Sequence, residues 1–232
     1  MNRLSFMAIL AAVTLLGTMS SAAAGVMRNV NCDKGQSIQK ALDTSTGYGG
    51  VIEVVITGFC EENISIARDV VVRGVNGARI SGQVTIAAAR NVEISDLTIT
   101  GPGHGLVINS GTVTLRSVSL TGNGGSAIIA RRNATVRVWE CQISDNLTES
   151  EGGNAVALYA SVAWLRQTDV VDNHGWGVNV FNRSQLEVTR GTVSRNGGPG
   201  LHVTDGSQLR IFETEVADNE AAGIVVRLNS NA

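Results

Sequence analysis

The sequence lacks any excess of basic residues, and it lacks the short motifs that mark several common chemistries. Lysine and arginine total 18 against 20 aspartate and glutamate, for a formal net charge of −2, so the charge does not favour nucleic acid as a partner. This balance is also too small to indicate a disordered acidic chain. No Gly-rich phosphate loop, HExxH or CxxC motif occurs, and GPGHG (101–105) lacks the strand–helix context of a dinucleotide-binding fingerprint.

Long apolar runs are confined to the N-terminus, where they predict a secretory signal peptide over residues 1–24. Arg3 gives a positive n-region, residues 4–16 form an apolar h-region, and Ala22–Ala24 provide a small-residue cleavage site. A membrane anchor is the alternative, but the run is short for a span and no second span follows. Cleavage would leave residues 25–232 as one secreted or periplasmic domain.

Only three cysteines occur, and an exported chain meets an oxidising compartment. Cys32 and Cys60 bracket the N-terminal segment, so we predict a disulfide between them. Cys141 lies far away in the sequence, and we expect it to act as a buried small hydrophobe. The alternative is that all three cysteines are free thiols.

Glycine is abundant, at 27 residues, and a phrase of about 23 residues recurs through the chain. It ends each time on an asparagine, at Asn123, Asn146, Asn173, Asn196 and Asn219. Three of the four intervals between these asparagines are equal, and the interval from Asn146 to Asn173 is longer. The longer interval contains four extra residues around LTES, which an insertion into one turn explains.

Apolar residues alternate in three short runs within each repeat, as in Val113 and Leu115, then Val118 and Leu120. A period of two indicates strands with one buried face. One such coil cannot bury its inner face alone, so we expect successive coils to stack as three parallel sheets. The asparagine falls at the sharp turn from the second strand to the third. There it would adopt the left-handed conformation, and its amide would bond the next asparagine in a structural ladder.

The rest of the chain divides around this stack, which we place at residues 50–232 with about seven coils. Residues 25–49 form an N-terminal cap, in which GQSIQKALDTS (35–45) predicts a short amphipathic helix over the open end. The C-terminal AAGIVVRLNSNA stops after a third strand without a capping helix. Exposed strand edges invite pairing, so either the polar tail folds over this end or another copy covers it by self-association.

These phrases resemble the right-handed parallel β-helix proteins of the pectin-lyase-like superfamily, and more narrowly the repeats of carbohydrate-binding proteins and sugar hydrolases. The resemblance covers residues 50–230 and rests on VTLRSVSLTGNGGSAIIA, LEVTRGTVSRNGGPGLHVTDGSQLRI and VITGFCEENISIARDVVVRG. It implies an all-β, right-handed parallel β-helix and a polysaccharide ligand. It also implies a site on the outside of the first-strand sheet. It is weak for function, because one fold hosts many chemistries.

The outward positions of the first strands combine arginine, tryptophan and one glutamate. Tryptophan rings stack on sugar faces, and guanidinium groups pair with carboxylates. We name these seven residues the Arg/Trp face and predict that it binds a linear acidic glycan: Arg116, Arg137, Trp139, Trp164, Arg166, Glu187 and Arg210. The alternative is a solvated face whose arginine and aromatic side chains cover one another.

Catalytic groups are harder to find. Glycoside hydrolysis wants paired carboxylates, yet Glu187 stands alone in its column, and Asp169 and Glu215 fall two coils apart. Asp145 and Asp172 occupy adjacent coils and could bind calcium, but one column supplies too few oxygens, so we predict no metal site and no cofactor.

The three histidines lie in different columns, and we interpret each as a surface residue: His104, His174 and His202.

We therefore predict an exported, carbohydrate-associated β-helix protein that binds without catalysis. A small polysaccharide lyase or epimerase is the alternative, with Arg116, Arg137 or Arg166 as base or charge neutraliser beside Glu187. An Asp-Pro-His-Asp motif of the kind found in epimerase-like relatives is absent. A third hypothesis is a structural or assembly module that uses the open C-terminal edge.

Overall fold

The computed structural model describes residues 26–45, 50–87, 89–147 and 154–227. The predicted signal peptide and the C-terminal tail at 228–232 lie outside these residues. So does most of the predicted insertion, at 148–153.

Short strands follow one another along nearly the whole described chain. The first is β1 (Val26–Asn31), which is followed by a 3₁₀ turn (Cys32–Lys34) and by one helix, α1 (Ile38–Asp43). Twelve strands then form four coils: β2 (Ile52–Thr57), β3 (Phe59–Cys60), β4 (Ile64–Ile66), β5 (Val70–Gly74), β6 (Arg79–Ser81), β7 (Val84–Ile86), β8 (Ala89–Ser95), β9 (Thr98–Gly101), β10 (Leu106–Ile108), β11 (Gly111–Arg116), β12 (Ser119–Asn123) and β13 (Ile128–Arg131). Four more coils complete the stack: β14 (Thr135–Trp139), β15 (Gln142–Ser144), β16 (Asn154–Tyr159), β17 (Val162–Arg166), β18 (Asp169–Val171), β19 (Trp176–Phe181), β20 (Gln185–Thr189), β21 (Thr192–Ser194), β22 (Leu201–Val203), β23 (Gln208–Phe212), β24 (Glu215–Ala217) and β25 (Ile224–Val226).

Every strand pairs in parallel with the equivalent strand one coil away. The first sheet has nine strands in the order β1-β2-β5-β8-β11-β14-β17-β20-β23, and the other two sheets have eight each. Consecutive strands along the chain fall in different sheets, so the chain winds as a three-sided parallel β-helix. The predicted all-β solenoid is therefore confirmed.

The described chain forms eight complete coils, one more than the sequence predicted. The first coil, β2 to β4, departs from the repeated phrase, and its middle strand has only two residues. Ile52 pairs with Val70, whereas Leu186 pairs with Leu209, so the first coil is shorter than the later one by five residues. A search for the longer repeated phrase does not detect so short a coil.

Aliphatic side chains and cysteines form the hydrophobic core of the stack, and buried asparagine, serine and threonine side chains lie beside them. The largest fully buried side chains are isoleucines and leucines, and no aromatic residue is among the buried hydrophobic residues of the described chain. Branched aliphatic side chains suit the pleated surface of a sheet because their few rotamers pack in register. The core is thus a set of aliphatic columns that each coil extends by one layer.

A ladder of asparagine side chains runs up the second corner, where the second strand of a coil turns toward the third. The Nδ2 of Asn123 donates to Oδ1 of Asn146 at 2.8 Å, and the same bond repeats at 2.8, 2.9 and 2.9 Å up to Asn219. Each accepting Oδ1 also takes the backbone N–H of the asparagine one coil earlier. The Oδ1 of Asn123 has no donor within the described chain, since Gly101 occupies the paired position one coil earlier.

The ladder leaves no room for side chains beside it. A Cβ on Gly200 would lie 2.6 Å from Nδ2 of Asn219 and 2.8 Å from the backbone oxygen of Gly223. Both distances are well inside van der Waals contact, so glycine is required at this point of close approach.

The left-handed residue of this corner is the one before each asparagine, which corrects the expectation that the asparagine itself takes that conformation. The positive φ values at the corner are those of Gly122 (64°), Asp145 (56°), Asp172 (56°), Arg195 (51°) and Asp218 (53°). Placing the turn one residue earlier lets the asparagine side chain point inward to the ladder. Glycine and aspartate tolerate this backbone region well, while arginine does so less readily.

The insertion changes the length of two corners and leaves the strands in register. Ile128 pairs with Val156, and Val156 pairs with Val178. Relative to a regular coil, the corner that directly follows Asn146 is five residues longer, and the next corner is one residue shorter. The net gain is the four residues that the sequence spacing indicated.

The N-terminal end of the stack is covered. Helix α1 buries Ile38 and Leu42 against the core, at 0% and 4% exposure. The carboxylate of Glu62 accepts hydrogen bonds from the backbone N–H groups of Ile38 (2.6 Å) and Gln39 (3.2 Å), which holds the helix start to the first coil. Strand β1, which lies within the predicted cap, extends the first sheet instead of standing apart from it.

Two of the three cysteines form the predicted disulfide, and the third is a buried thiol. Cys32 and Cys60 form a disulfide with a Cα–Cα distance of 5.0 Å, and it ties the 3₁₀ turn to β3. Cys141 is a buried thiol, and burial raises its pKa to about 11. It therefore stays protonated and inert at neutral pH.

Replacing Asn173 by alanine should destabilise the fold far more than replacing Asn219. The side chain of Asn173 makes five buried hydrogen bonds, and each buried group left without a partner costs roughly 1–3 kcal/mol. We expect Asn173→Ala to lower the free energy of unfolding by about 3 kcal/mol or more. Asn219 lies half-buried at the ladder's end, so Asn219→Ala should cost about 1 kcal/mol. Urea unfolding measures both, and equal losses would show that the ladder does not act as a buried network.

Candidate functional site

The outward side chains of the first sheet form two straight columns. Residues that alternate along a strand face opposite sides, so the buried positions Val136 and Val138 leave Arg137 and Trp139 outside. Register then aligns one column as Thr114, Arg137, Trp164, Glu187 and Arg210. The neighbouring column is Arg116, Trp139, Arg166, Thr189 and Phe212. The structure thus brings together all seven residues of the Arg/Trp face, about 4.8 Å apart from coil to coil.

Guanidinium groups from the preceding coil lie over two tryptophan rings. The Cζ of Arg116 lies 3.7 Å from the Trp139 ring centroid, and the Cζ of Arg137 lies 5.5 Å from the Trp164 centroid. Both distances are within the range of cation–π attraction. The closer contact covers Trp139, whereas the longer one leaves more of the Trp164 ring available.

Ion pairs neutralise two arginines of the first sheet and leave three arginines of the Arg/Trp face without a carboxylate partner among the described residues. Near the N-terminal end, Arg73 pairs with Glu53 at 3.1 Å and Arg116 pairs with Glu93 at 3.4 Å. The described carboxylates come within 4.0 Å of none of the three remaining arginines of the face, which are Arg137, Arg166 and Arg210. An anion placed over the C-terminal half would therefore meet guanidinium groups that no carboxylate of the described chain already occupies.

Two depressions flank the ridge formed by Trp164 and Glu187. The larger, of about 230 Å³, lies toward the second column and is lined by Arg137, Trp139, Trp164, Leu165, Arg166, Glu187 and Thr189. The smaller, of about 100 Å³, lies toward the strand starts. It shares Trp164 and Glu187 with the larger hollow, and Gln185, Gln208 and Arg210 also line it. The glutamines were not anticipated, although they precede Leu186 and Leu209 at equivalent positions of the repeat. Both hollows combine an indole ring with guanidinium groups, and the smaller one adds side-chain amides.

The acidic residues considered for catalysis or calcium do not gather into one cluster, although Asp145 and Asp172 are neighbours in adjacent coils. Glu187 has Trp164 and Arg210 on either side in its column. Asp172 is held by Arg195 at 2.6 and 2.8 Å, which lowers the pKa of that carboxyl. Asp145 accepts only a long 3.4 Å bond from Thr121. The residues the structure describes contain no group of three or more metal-ligating side chains.

His202 is buried, which corrects its interpretation as a surface residue. It is 5% exposed, and its ring lies 4.6 Å from that of Trp176 and 6.4 Å from that of Phe181. By contrast His174 is exposed, and His104 is half-buried with Nδ1 accepting the N–H of Ser126 at 3.0 Å. A strand position that points outward is thus covered where large side chains from the preceding coil fold over it.

A buried polar chain on the third sheet fixes the tautomer of His202. Asn179 donates from Nδ2 to Oδ1 of Asn154 at 2.8 Å, so its own Oδ1 accepts from Nδ1 of His202 at 2.9 Å. The Nε2 of His202 is then the unprotonated nitrogen, and it is buried without a partner in the described chain. Asn179 and His202 are one repeat period apart in the sequence, and this spacing could have revealed their column.

Residues 82–232 match the family described as right-handed β-helix region. That match covers well over half of the chain, so the protein belongs to the right-handed β-helix family. A comparison with curated proteins finds no match. None of the helices in the described ranges is both long enough and apolar enough to cross a membrane.

Stability should fall below about pH 6.5 because of His202. Burial, and then the charge of Arg227, lower the pKa of this imidazole, while Asp205 opposes them weakly. A lowered folded-state pKa means that the unfolded chain binds the proton first as pH falls through about 6.5. The contribution of His202 to the free energy of unfolding is therefore fully present above that pH. It is lost as the pH falls toward the lower pKa that His202 has in the folded state.

Urea midpoints measured from about pH 7.5 to about pH 5.5 test this. His202→Gln should flatten the pH dependence, while the exposed His174→Gln should leave it unchanged. The pKa of His104 is also lowered, by burial and by the charge of Arg131. Each variant should therefore keep the part of the pH dependence of stability that His104 contributes. An unchanged slope in His202→Gln would contradict the assignment.

Proposed function

We propose that this protein is an exported right-handed β-helix that binds an acidic polysaccharide through the Arg/Trp face without cleaving it. The observation that carries the proposal is the set of three arginines beside Trp164 with no carboxylate partner in the described chain. Guanidinium groups pair bidentately with carboxylates, and an indole ring offers a flat apolar surface for a sugar. A polymer lying along the rod would meet one layer of these groups per coil.

The shape of the face supports binding along a chain over enclosure of a small molecule. Small-molecule sites are usually clefts or cavities of roughly 300–1,000 Å³, and the two hollows of this face are smaller, at about 230 and about 100 Å³. A linear glycan needs only an open track, with shallow subsites spaced along it. The two depressions on either side of Trp164 provide adjacent subsites of this kind.

Export is supported by the signal-like N-terminal sequence and by the Cys32–Cys60 disulfide. Disulfides of this kind persist in oxidising compartments and are rare in the reducing cytosol. Mass spectrometry of protein recovered from a secreting host would test the cleavage site. A mature N-terminus at Gly25 would support export, and an intact Met1 in the recovered protein would contradict it.

Binding should weaken when Trp164 or one of the arginines without a described carboxylate partner is changed. On a glycan array followed by titration, we expect Trp164→Ala and Arg137→Ala each to reduce affinity about ten-fold, or roughly 1.4 kcal/mol. Arg116→Ala should have a smaller effect, because Glu93 already neutralises that guanidinium. Affinity for an acidic polymer should also fall as salt is added, because salt screens exposed charges.

Arg79→Ala is the matched control, since Arg79 is an exposed strand arginine of the second sheet. It should bind as the wild type does. The proposal fails if no acidic glycan binds, or if Arg79→Ala weakens binding as much as Arg137→Ala.

The alternative is a lyase or epimerase that uses Arg137, Arg166 or the ion-paired Arg116 beside Glu187. The one feature that favours it is that Glu187 and Arg137 line the same hollow. It predicts turnover of a bound polymer that Arg137→Ala abolishes. Chromatography of each bound glycan after long incubation distinguishes the two, because binding alone leaves the polymer length and sugar configuration unchanged.

A further inference from the structure

Neighbouring strands of the Arg/Trp face present different chemistry to solvent. Strand β17 directs Trp164 and Arg166 outward. Strand β20, one coil further along the rod, directs Gln185, Glu187 and Thr189 outward. One coil therefore offers an indole ring and a guanidinium group, and the next offers an amide, a carboxylate and a hydroxyl. A linear polymer lying along the rod would meet these two sets of groups in succession.

An acidic group finds partners around β17. The guanidinium groups of Arg137 and Arg166 line the same hollow of about 230 Å³ as the ring of Trp164. No carboxylate of the described residues lies within 4.0 Å of either arginine. A uronic acid stacked on Trp164 would thus have its carboxylate within a hollow that two guanidinium groups line.

The following coil disfavours a second acid. Glu187 follows Trp164 in the same column, and no cationic group of the described chain lies within 4.0 Å of its carboxylate. Arg190, at the corner after β20, is already paired with Glu213 at 2.7 Å. A sugar carboxylate over Glu187 would meet a like charge, whereas sugar hydroxyls would donate hydrogen bonds to it.

The spacing of the coils brings successive sugars onto these successive strands. Each coil rises about 4.8 Å, which is close to the length of one sugar residue in an extended chain. A sugar that follows the one stacked on Trp164 therefore lies over Glu187, and both residues line both hollows of the face. Arg210 comes next in the column and returns a guanidinium group two coils after Trp164.

We infer that the Arg/Trp face selects an alternating polysaccharide, in which each uronic acid is followed by a neutral sugar. This inference rests on the proposed function, because it names the class of acidic glycan that the same face binds. The uronic acids lie over β17 and β23, and the neutral sugar between them donates hydroxyl groups to Glu187. Glu187 is thus the specificity residue, since its charge acts against polymers that carry an acid on every sugar.

Titration with two octasaccharides tests this selection at one ionic strength. One ligand alternates glucuronate with N-acetylglucosamine, and the other contains galacturonate alone. We expect the wild type to bind the alternating ligand about ten-fold more tightly, although that ligand carries half as many carboxylates. Glu187→Gln keeps the shape of the side chain and removes its charge. It should bind galacturonate more tightly than the wild type does, and bring the two dissociation constants within about two-fold of each other.

Glu215→Gln is the matched control, because Glu215 is an exposed carboxylate on β24 of the second sheet. It changes the net charge by the same amount away from the face, so it should keep the wild-type preference. Circular dichroism checks that both variants are folded.

The inference is overturned, and the proposed function stands, if the wild type binds galacturonate as tightly as the alternating ligand. The same holds if Glu187→Gln leaves the preference unchanged, or if Glu215→Gln reduces it equally. If neither octasaccharide binds, the inference is overturned as well, and the glycan array then decides separately whether the face binds any acidic polymer.

Discussion

Every feature of this protein depends on one constraint: a single coil cannot bury its inner face, so each coil must lie in register on the one before it. A slip of one residue would turn the aliphatic columns outward and part the asparagine ladder. The insertion after Asn146 respects this constraint, since extra residues at one corner and a missing residue at the next leave Val156 and Val178 paired. Changes in chain length are absorbed at corners, where no column is broken.

The constraint also determines where function can lie. The hydrophobic core is aliphatic apart from its cysteines, and the seven aromatic residues of the described chain stay out of it. Five of them gather in two outward groups, Trp139 with Trp164 on the first sheet, and Tyr159, Trp176 and Phe181 on the third. The group on the third sheet covers His202 and helps to bury a polar chain. The pair on the first sheet lies half-buried beside arginines that could pair with an anionic ligand, which is why that face is the better candidate for a ligand.

The sequence predicted the columns well, because a fixed repeat period converts directly into register. It predicted the first coil poorly, since Ile52 and Val70 lie closer together than that period and β3 has two residues. The positive φ of Asp145 and Asp172 was assigned one residue too late, because a spacing locates a corner but not the dihedral angles within it. The burial of His202 depends on how Trp176 and Phe181 fold over the next coil, and periodicity carries no information on that.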